Sequence, residues 1–167
     1  RQPIELHNQI ISSQISQKTI MVTGAAGSIG SEIVQRVLDF KPSKLIVVDQ
    51  AETPLHQLGL LIEPLMKNIP YLSFVADIKD AFMMEQIIGT HKPDVIYHAA
   101  AYKHVPLMEL NPYQAVLTNV YGTKIIADLA QKHKVSSFVM VSTDKAVNPS
   151  NVMGASKRIA EMYVQSL

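Results

Sequence analysis

Thr23-Gly24-Ala25-Ala26-Gly27-Ser28-Ile29-Gly30 follows directly on a β-branched and apolar run, Thr19 to Thr23, and opens a segment of helical period. Gly24 allows the tight turn out of a strand, Gly27 lets backbone amides approach a pyrophosphate, and Gly30 permits a helix to pack closely on that strand. A phosphate placed there meets the positive end of the helix. Ser28 and Ile29, inside the same turn, complete the candidate cofactor-binding set at this end of the chain.

Four further runs have the same character: Leu45 to Asp49, Leu72 to Ala76, Val95 to His98 and Phe138 to Ser142. Each reads as a buried parallel strand. Longer segments of helical period lie between them. In the first, Ile29, Ile33 and Val37 share one face, and Glu32 and Arg36 form an exposed i,i+4 pair. Pro42, Pro70 and Pro93 each precede a strand, where a helix must end. The alternation predicts an α/β fold, a Rossmann-like doubly wound parallel sheet in the order 3-2-1-4-5. Residues 1–17, polar with scattered Ile4, Leu6, Ile10, Ile11 and Ile15, read as a linker from an upstream domain or a short docking helix, and the nucleotide-binding domain as 18–167.

With 167 residues, 47% hydrophobic and 17% charged, the chain suffices for one globular domain with its own core. Fifteen basic residues against 14 acidic ones, a net charge of +1, give no electrostatic reason to expect nucleic acid or an anionic membrane as partner. Cysteine is absent, which excludes disulfides and thiolate metal sites and is compatible with a reducing cytoplasm. The six histidines lack metal-ligand spacing, so no metal is expected. No apolar run approaches the roughly 18 residues of a membrane span. The start has no signal-peptide pattern, so no membrane contact is expected of this segment. The first residue is Arg1, and the last eight run on in a helical pattern without a stop signal, which predicts a piece of a longer chain.

Asp49 ends the second strand, where an acidic side chain accepts hydrogen bonds from the adenosine ribose and repels a 2′-phosphate. Gln50, Ala51 and Glu52 offer no arginine for that phosphate, so NAD is favoured over NADP. Asp77-Ile78 follows the third strand and suits the adenine edge, or else Asp77 caps a helix starting near Lys79. Ala99, Ala100 and Ala101 after the fourth strand are small enough to pass beside a flat cofactor ring or simply to pack tightly.

The glycine spacing resembles that of the extended short-chain dehydrogenases. His98-Ala99-Ala100-Ala101-Tyr102-Lys103-His104-Val105-Pro106, Thr118-Asn119-Val120-Tyr121-Gly122-Thr123 and Val141-Ser142-Thr143-Asp144-Lys145-Ala146-Val147-Asn148-Pro149 resemble the polysaccharide-biosynthesis UDP-N-acetylglucosamine 4,6-dehydratases, from about Lys18 to the end. Arg1-Gln2-Pro3-Ile4 resembles the junction that, in long members of that family, follows a membrane-spanning region and an extra domain. The resemblance implies a cytoplasmic domain anchored through such an upstream region, a UDP-sugar substrate, homo-oligomers, and a C-terminal substrate lobe before which this chain stops.

One position departs from the short-chain dehydrogenases, whose Tyr-x-x-x-Lys pair reads here Met153-Gly154-Ala155-Ser156-Lys157. A thioether has no proton to give, so Met153 cannot do acid/base work. Either the domain binds NAD without catalysis, or that work has moved. The long dehydratases also carry methionine here, which favours relocation to Thr143, Asp144 and Lys145, with Lys157 still reaching the nicotinamide ribose. The resemblance implies hydride transfer from sugar C4 to NAD, loss of water across C5 and C6, and return of the hydride to C6. In that scheme Lys145 is the base, provided burial beside Lys157 and the positive nicotinamide lowers its pKa from about 10.4. Asp144 protonates the departing C6 hydroxyl, and Thr143 hydrogen-bonds the C4 hydroxyl.

Asn119, in a long helical stretch, suits a helix kink, a bound water or a catalytic role, and is grouped with the substrate-side candidates. Lys103, His104 and Glu109 read as substrate-side contacts or as a solvated loop. A sugar-nucleotide 4-epimerase and a non-catalytic NAD-binding module remain alternative readings.

Overall fold

The computed structural model describes residues 8–66 and 68–167. Helix α1 (Asn8–Ile15) leads into β1 (Thr19–Thr23), α2 (Ser28–Asp39), β2 (Lys44–Asp49), α3 (Glu52–Ile62), β3 (Tyr71–Val75), α4 (Ala81–His91) and β4 (Val95–His98). Short helices α5 (Val105–Leu110) and α6 (Pro112–Ala115) then run into a π-helical stretch, Val116–Gly122, that continues as α7 (Thr123–Lys132). Strand β5 (Ser137–Met140), a single 3₁₀ turn (Asp144–Ala146) and α8 (Val152–Gln165) complete the described chain.

The strands form one parallel sheet in the order β3-β2-β1-β4-β5, as the alternation predicts. Successive side chains of a strand point to opposite faces, and two cores result. Ile20, Val22, Leu45, Val47 and Val95 pack against α2 and α3 through Val34, Val37, Leu55 and Leu58. Met21, Ile46, Val48 and Ile96 face the other way, onto Met84 and Ile88 of α4 and Ile126 and Leu129 of α7. Burial on both faces is why β1 and β2 read as unbroken apolar runs.

One local expectation is revised and another narrowed. The apolar face expected at Ile29, Ile33 and Val37 is turned: α2 buries Gly30, Val34, Val37 and Leu38, while Ile29 is 49% exposed. The Glu32–Arg36 pair is present at 2.8 Å. Within the segment expected as linker or docking helix, α1 docks through buried Ile15 and half-buried Ile11; Ile4 and Leu6 lie outside the described residues. Among the described residues no helix is long and apolar enough to cross a membrane.

Candidate active site

Gly24 adopts φ +67°, a left-handed conformation that costs glycine nothing. A Cβ there would stand 2.4 Å from the Ala100 amide nitrogen, so the turn also lets the end of β4 press in. At Gly30 a Cβ would lie 2.0 Å from the Gly24 carbonyl oxygen, and only glycine lets α2 start this close to its strand. Gly27 is exposed and meets nothing nearer than that carbonyl, at 3.3 Å. No side chain caps α2 and no acidic residue sits in its first turn, so its leading amides form an uncovered positive end.

A cleft runs from this turn across the carboxyl ends of the strands, lined by Gly27, Asp49, Asp77, Ala100, Tyr102 and Thr118 among others. Asp49 holds the turn from the side. Its Oδ2 accepts from the Ala26 amide at 2.9 Å and its Oδ1 from the Ala51 amide at 3.0 Å. Each carboxylate oxygen has acceptor capacity left for a hydroxyl in the cleft. Asp77 is not the cap of α4. That cap is Asp80, which accepts from the Met83 amide at 2.9 Å, and the helix begins at Ala81. Asp77 instead accepts from the Lys79 amide and pairs with the Lys79 ammonium at 3.2 Å. Ile78 borders the cleft while its side chain packs against Gly122. The Thr118 hydroxyl, overlooked in the sequence, is buried on the cleft wall without a hydrogen-bond partner among the described residues. A buried polar atom so placed invites a ligand.

The opposite end of the site lies beyond β5. Thr143 caps the 3₁₀ turn, its Oγ accepting from the Lys145 amide at 3.3 Å and donating to Asp144 Oδ1 at 2.9 Å. Lys145 Nζ stands 3.3 Å from the same Asp144 oxygen. The Thr143 hydroxyl first, and the Lys145 ammonium second, hold the Asp144 carboxyl below the usual range. The burial expected for Lys145 is not there, since its side chain is 50% exposed and that of Asp144 86%. The buried lysine is Lys157, 5% exposed, whose Nζ donates to the Val141 carbonyl at 2.7 Å. Burial pushes it down from 10.5 to about 8, against the opposing pull of Glu161.

Asn119 joins the two ends. It is fully buried where the helix widens into its π-helical stretch. Its Oδ1 accepts from the Tyr102 amide at 2.8 Å, and its Nδ2 donates to the Tyr102 carbonyl at 3.0 Å and to Ser156 Oγ at 2.9 Å. The expectation of a substrate-side contact is corrected accordingly: Asn119 has no exposed surface and ties the cleft wall to α8, one residue from Lys157. At Gly154 a Cβ would meet the Lys145 carbonyl oxygen at 2.2 Å, so this glycine lets α8 press on the Thr143–Lys145 turn. Neither Gly154 nor Ser156 stands out in the sequence except by proximity to Lys157.

Three more candidates move. Met153 is buried with Met108 and Ala115 in a small third core, a packing residue and not a catalytic one. Lys103 reaches the glycine turn, its Nζ donating to Ser28 Oγ at 2.8 Å, and so lies at the α2 end of the site. Glu109 accepts from the Val152 amide at 2.7 Å and holds the start of α8. His104 remains exposed at the start of α5. Sequence reasoning also passed over His98. It is fully buried, with Nδ1 2.7 Å from Thr23 Oγ and Nε2 2.9 Å from Thr123 Oγ. Burial, helped by the charge of Lys157, pushes it down to about 3.

Comparison with known proteins finds relatives of this chain and of its fold. The chain is 48% identical over its whole length to the capsular polysaccharide biosynthesis protein CapD of Staphylococcus aureus, of which it spans 28%. It is 32% identical, over 85% of its length, to an inverting UDP-N-acetylglucosamine 4,6-dehydratase of Campylobacter jejuni, of which it spans 41%. Pen from Bacillus thuringiensis superposes on 92% of the chain with a TM-score of 0.85 and 31% identity, the match covering 47% of that structure. WbmG from Bordetella bronchiseptica, crystallised with NAD, shares the fold at a TM-score of 0.75 and 22% identity, over 90% of this chain and 50% of its own. The chain thus spans under half the length of the curated relatives named here. Residues 20–167 match the family described as polysaccharide biosynthesis protein, and to that family, within the extended short-chain dehydrogenases, the chain belongs.

Proposed function

We propose that this chain is the NAD-binding part of a nucleotide-sugar 4,6-dehydratase acting on UDP-N-acetylglucosamine or a similar UDP-hexosamine. The observation that carries the reading is the Tyr102–Asn119–Ser156 link, which ties the wall of the glycine-turn cleft to the helix bearing Lys157. A cofactor in the cleft and a sugar over the Thr143–Lys145 turn would then share one edge of the sheet, where open α/β sheets do their chemistry.

The residues present fit NAD. The leading amides of α2 and the Lys103 ammonium suit a pyrophosphate, Asp49 a ribose diol, and the unpartnered Thr118 hydroxyl a polar group of the dinucleotide. Asp49 also argues against a 2′-phosphate by charge. NAD, when bound, would supply the hydride acceptor and donor that oxidation at sugar C4 and reduction at C6 need.

The remaining work falls to the chain. Thr143 hydrogen-bonds the C4 hydroxyl and, through its own bond to Asp144 Oδ1, relays the proton that hydroxyl loses on oxidation to the Asp144 carboxylate, which Thr143 and Lys145 hold as an anion in the open turn. Asp144 then gives that proton to the departing C6 hydroxyl, while neutral Lys145 takes the C5 proton and returns it when the hydride reaches C6. A substrate covering the turn would desolvate Lys145 and favour its neutral form. A tyrosine-dependent 4-epimerase is disfavoured because Met153, at the tyrosine's place, is sealed in a core.

In the full-length enzyme, Lys145→Ala and Asp144→Asn should each lower formation of the 4-keto-6-deoxy sugar by about 100-fold or more while NAD stays bound. Product is read by nuclear magnetic resonance and NAD by calorimetry. Loss of cofactor in both variants would make the residues structural, and tighter binding of NADP than of NAD by the wild type would sink the cofactor assignment.

A further inference from the structure

Lys157 is the one buried lysine among the described residues, and the anion that acts on it does not come from the Thr143–Lys145 turn. It comes from Glu161, one helical turn further along α8 and so on the same face. Two side chains fasten the Glu161 carboxylate. Ser142 Oγ donates to Oε1, and Arg158 Nη1 lies 3.1 Å from Oε2. Ser142 is the chain neighbour of Val141, whose carbonyl receives the Lys157 ammonium. Lys157 and Glu161 are therefore moored to consecutive residues at the exit of β5, as two parallel links between helix and strand end.

We propose that Glu161, fixed by Ser142 and Arg158, is a positioning residue that sets the charge state of Lys157. The effect on charge belongs to this chain's own residues; only its consequence for a nicotinamide ribose rests on the function proposed above. Other groups from the neighbouring elements do not take this part: Asp128 on α7 is engaged by Lys124 and Tyr163, and Glu109 on α5 by the Val152 amide. His98 on β4 is neutral at working pH, because burial holds it to about 3. Asn119 and Ser156 are uncharged and bonded to each other. Asp144 and Lys145 are paired together on the exposed turn. Arg158 is on α8 and engages Glu161 itself. Burial works to strip the proton from Lys157 and Glu161 works to keep it, with a midpoint near 8 as the balance. That midpoint lies close enough to physiological pH for a modest change in Glu161 to decide the dominant form.

The test is an NMR titration of the Lys157 side chain in the nucleotide-free protein, run with calorimetric melting of each variant. The wild-type midpoint is expected near 8. Glu161→Gln keeps the shape and the acceptor for Ser142 but removes the charge, and should lower the midpoint by about one pH unit. Ser142→Ala keeps the charge but frees it, and should lower the midpoint by less. A purely structural role would lower the melting temperature of both variants and leave the midpoint unmoved, which would overturn the proposal. Should Glu161→Gln fail to fold, an unmoved midpoint in Ser142→Ala overturns it equally. Because no nucleotide is present, this failure is separate from failure of the cofactor reading, which would show as absent NAD binding by the wild type.

Discussion

At Lys157 the requirements of chemistry and of folding oppose each other, because an ammonium in a nearly closed site costs stability even with a carbonyl to bond. Its folded midpoint, about 8, lies below the ordinary 10.5. Between those values the unfolded chain holds more protons than the folded one, so stability rises as pH climbs through that window. Below pH 8 the full penalty applies, about 3 kcal/mol. Lys157→Met keeps the length and removes the charge, and should stabilise the chain by about 2–3 kcal/mol at pH 7, the gain fading toward pH 10.5. Urea denaturation at the two pH values measures it. A variant no more stable than wild type at pH 7 would show that the Val141 bond offsets the burial. The sequence points to Lys157 by its place four residues after Met153, and to Gly24, Gly30 and Asp49 by their places around a strand end. It does not reveal which lysine is buried. Burial arises where α8 folds back on the end of β5 at Val141, 16 residues away in the chain, and the desolvation expected at Lys145 belongs to Lys157 for that reason.

Among elements, His98 bolts together the ends of β1 and β4 and the start of α7 through Thr23 and Thr123. In the unfolded chain it takes a proton near 6.5, in the folded chain only near 3. The unfolded state is thus the more protonated between those values, and stability falls as pH drops from 6.5 toward 3. Going from pH 7 to pH 5 should cost about 2 kcal/mol, before ordinary carboxylates begin to protonate. His98→Gln should flatten that slope, at a cost of about 1–3 kcal/mol at pH 7 for the hydroxyl left unpaired. An unchanged slope in urea melts at pH 5 and 7 would place the effect elsewhere. The elements themselves were readable because strands buried on both faces must be apolar throughout, as β1 and β2 are. The face of α2 was misread because Ile29 and Ile33 fit helical period as well as Val34 and Leu38 do. Gly30 settles it, since a helix that approaches its strand through glycine buries the glycine side. The π-helical stretch left no such mark: it accompanies the bonds of Asn119 to Tyr102 and Ser156, 17 and 37 residues away.

For the whole molecule, the sheet order was legible from alternation and crossover handedness alone. The directions of Lys103 and Glu109 were not, because a loop's path across the top of a sheet depends on what it packs against. Lys103 leaves the end of β4 and crosses to Ser28 at the start of α2, so an exposed side-chain hydrogen bond links the loop after β4 to α2 beside the glycine turn. A dinucleotide whose phosphates engage both would add a further tie between these two stretches. Deuterium uptake should then slow on NAD binding at two separate stretches together, the first turn of α2 and the segment around Tyr102 and Lys103. In Lys103→Ala the α2 amides should still be shielded by bound NAD, while the segment after β4 exchanges nearly as fast as in the free protein.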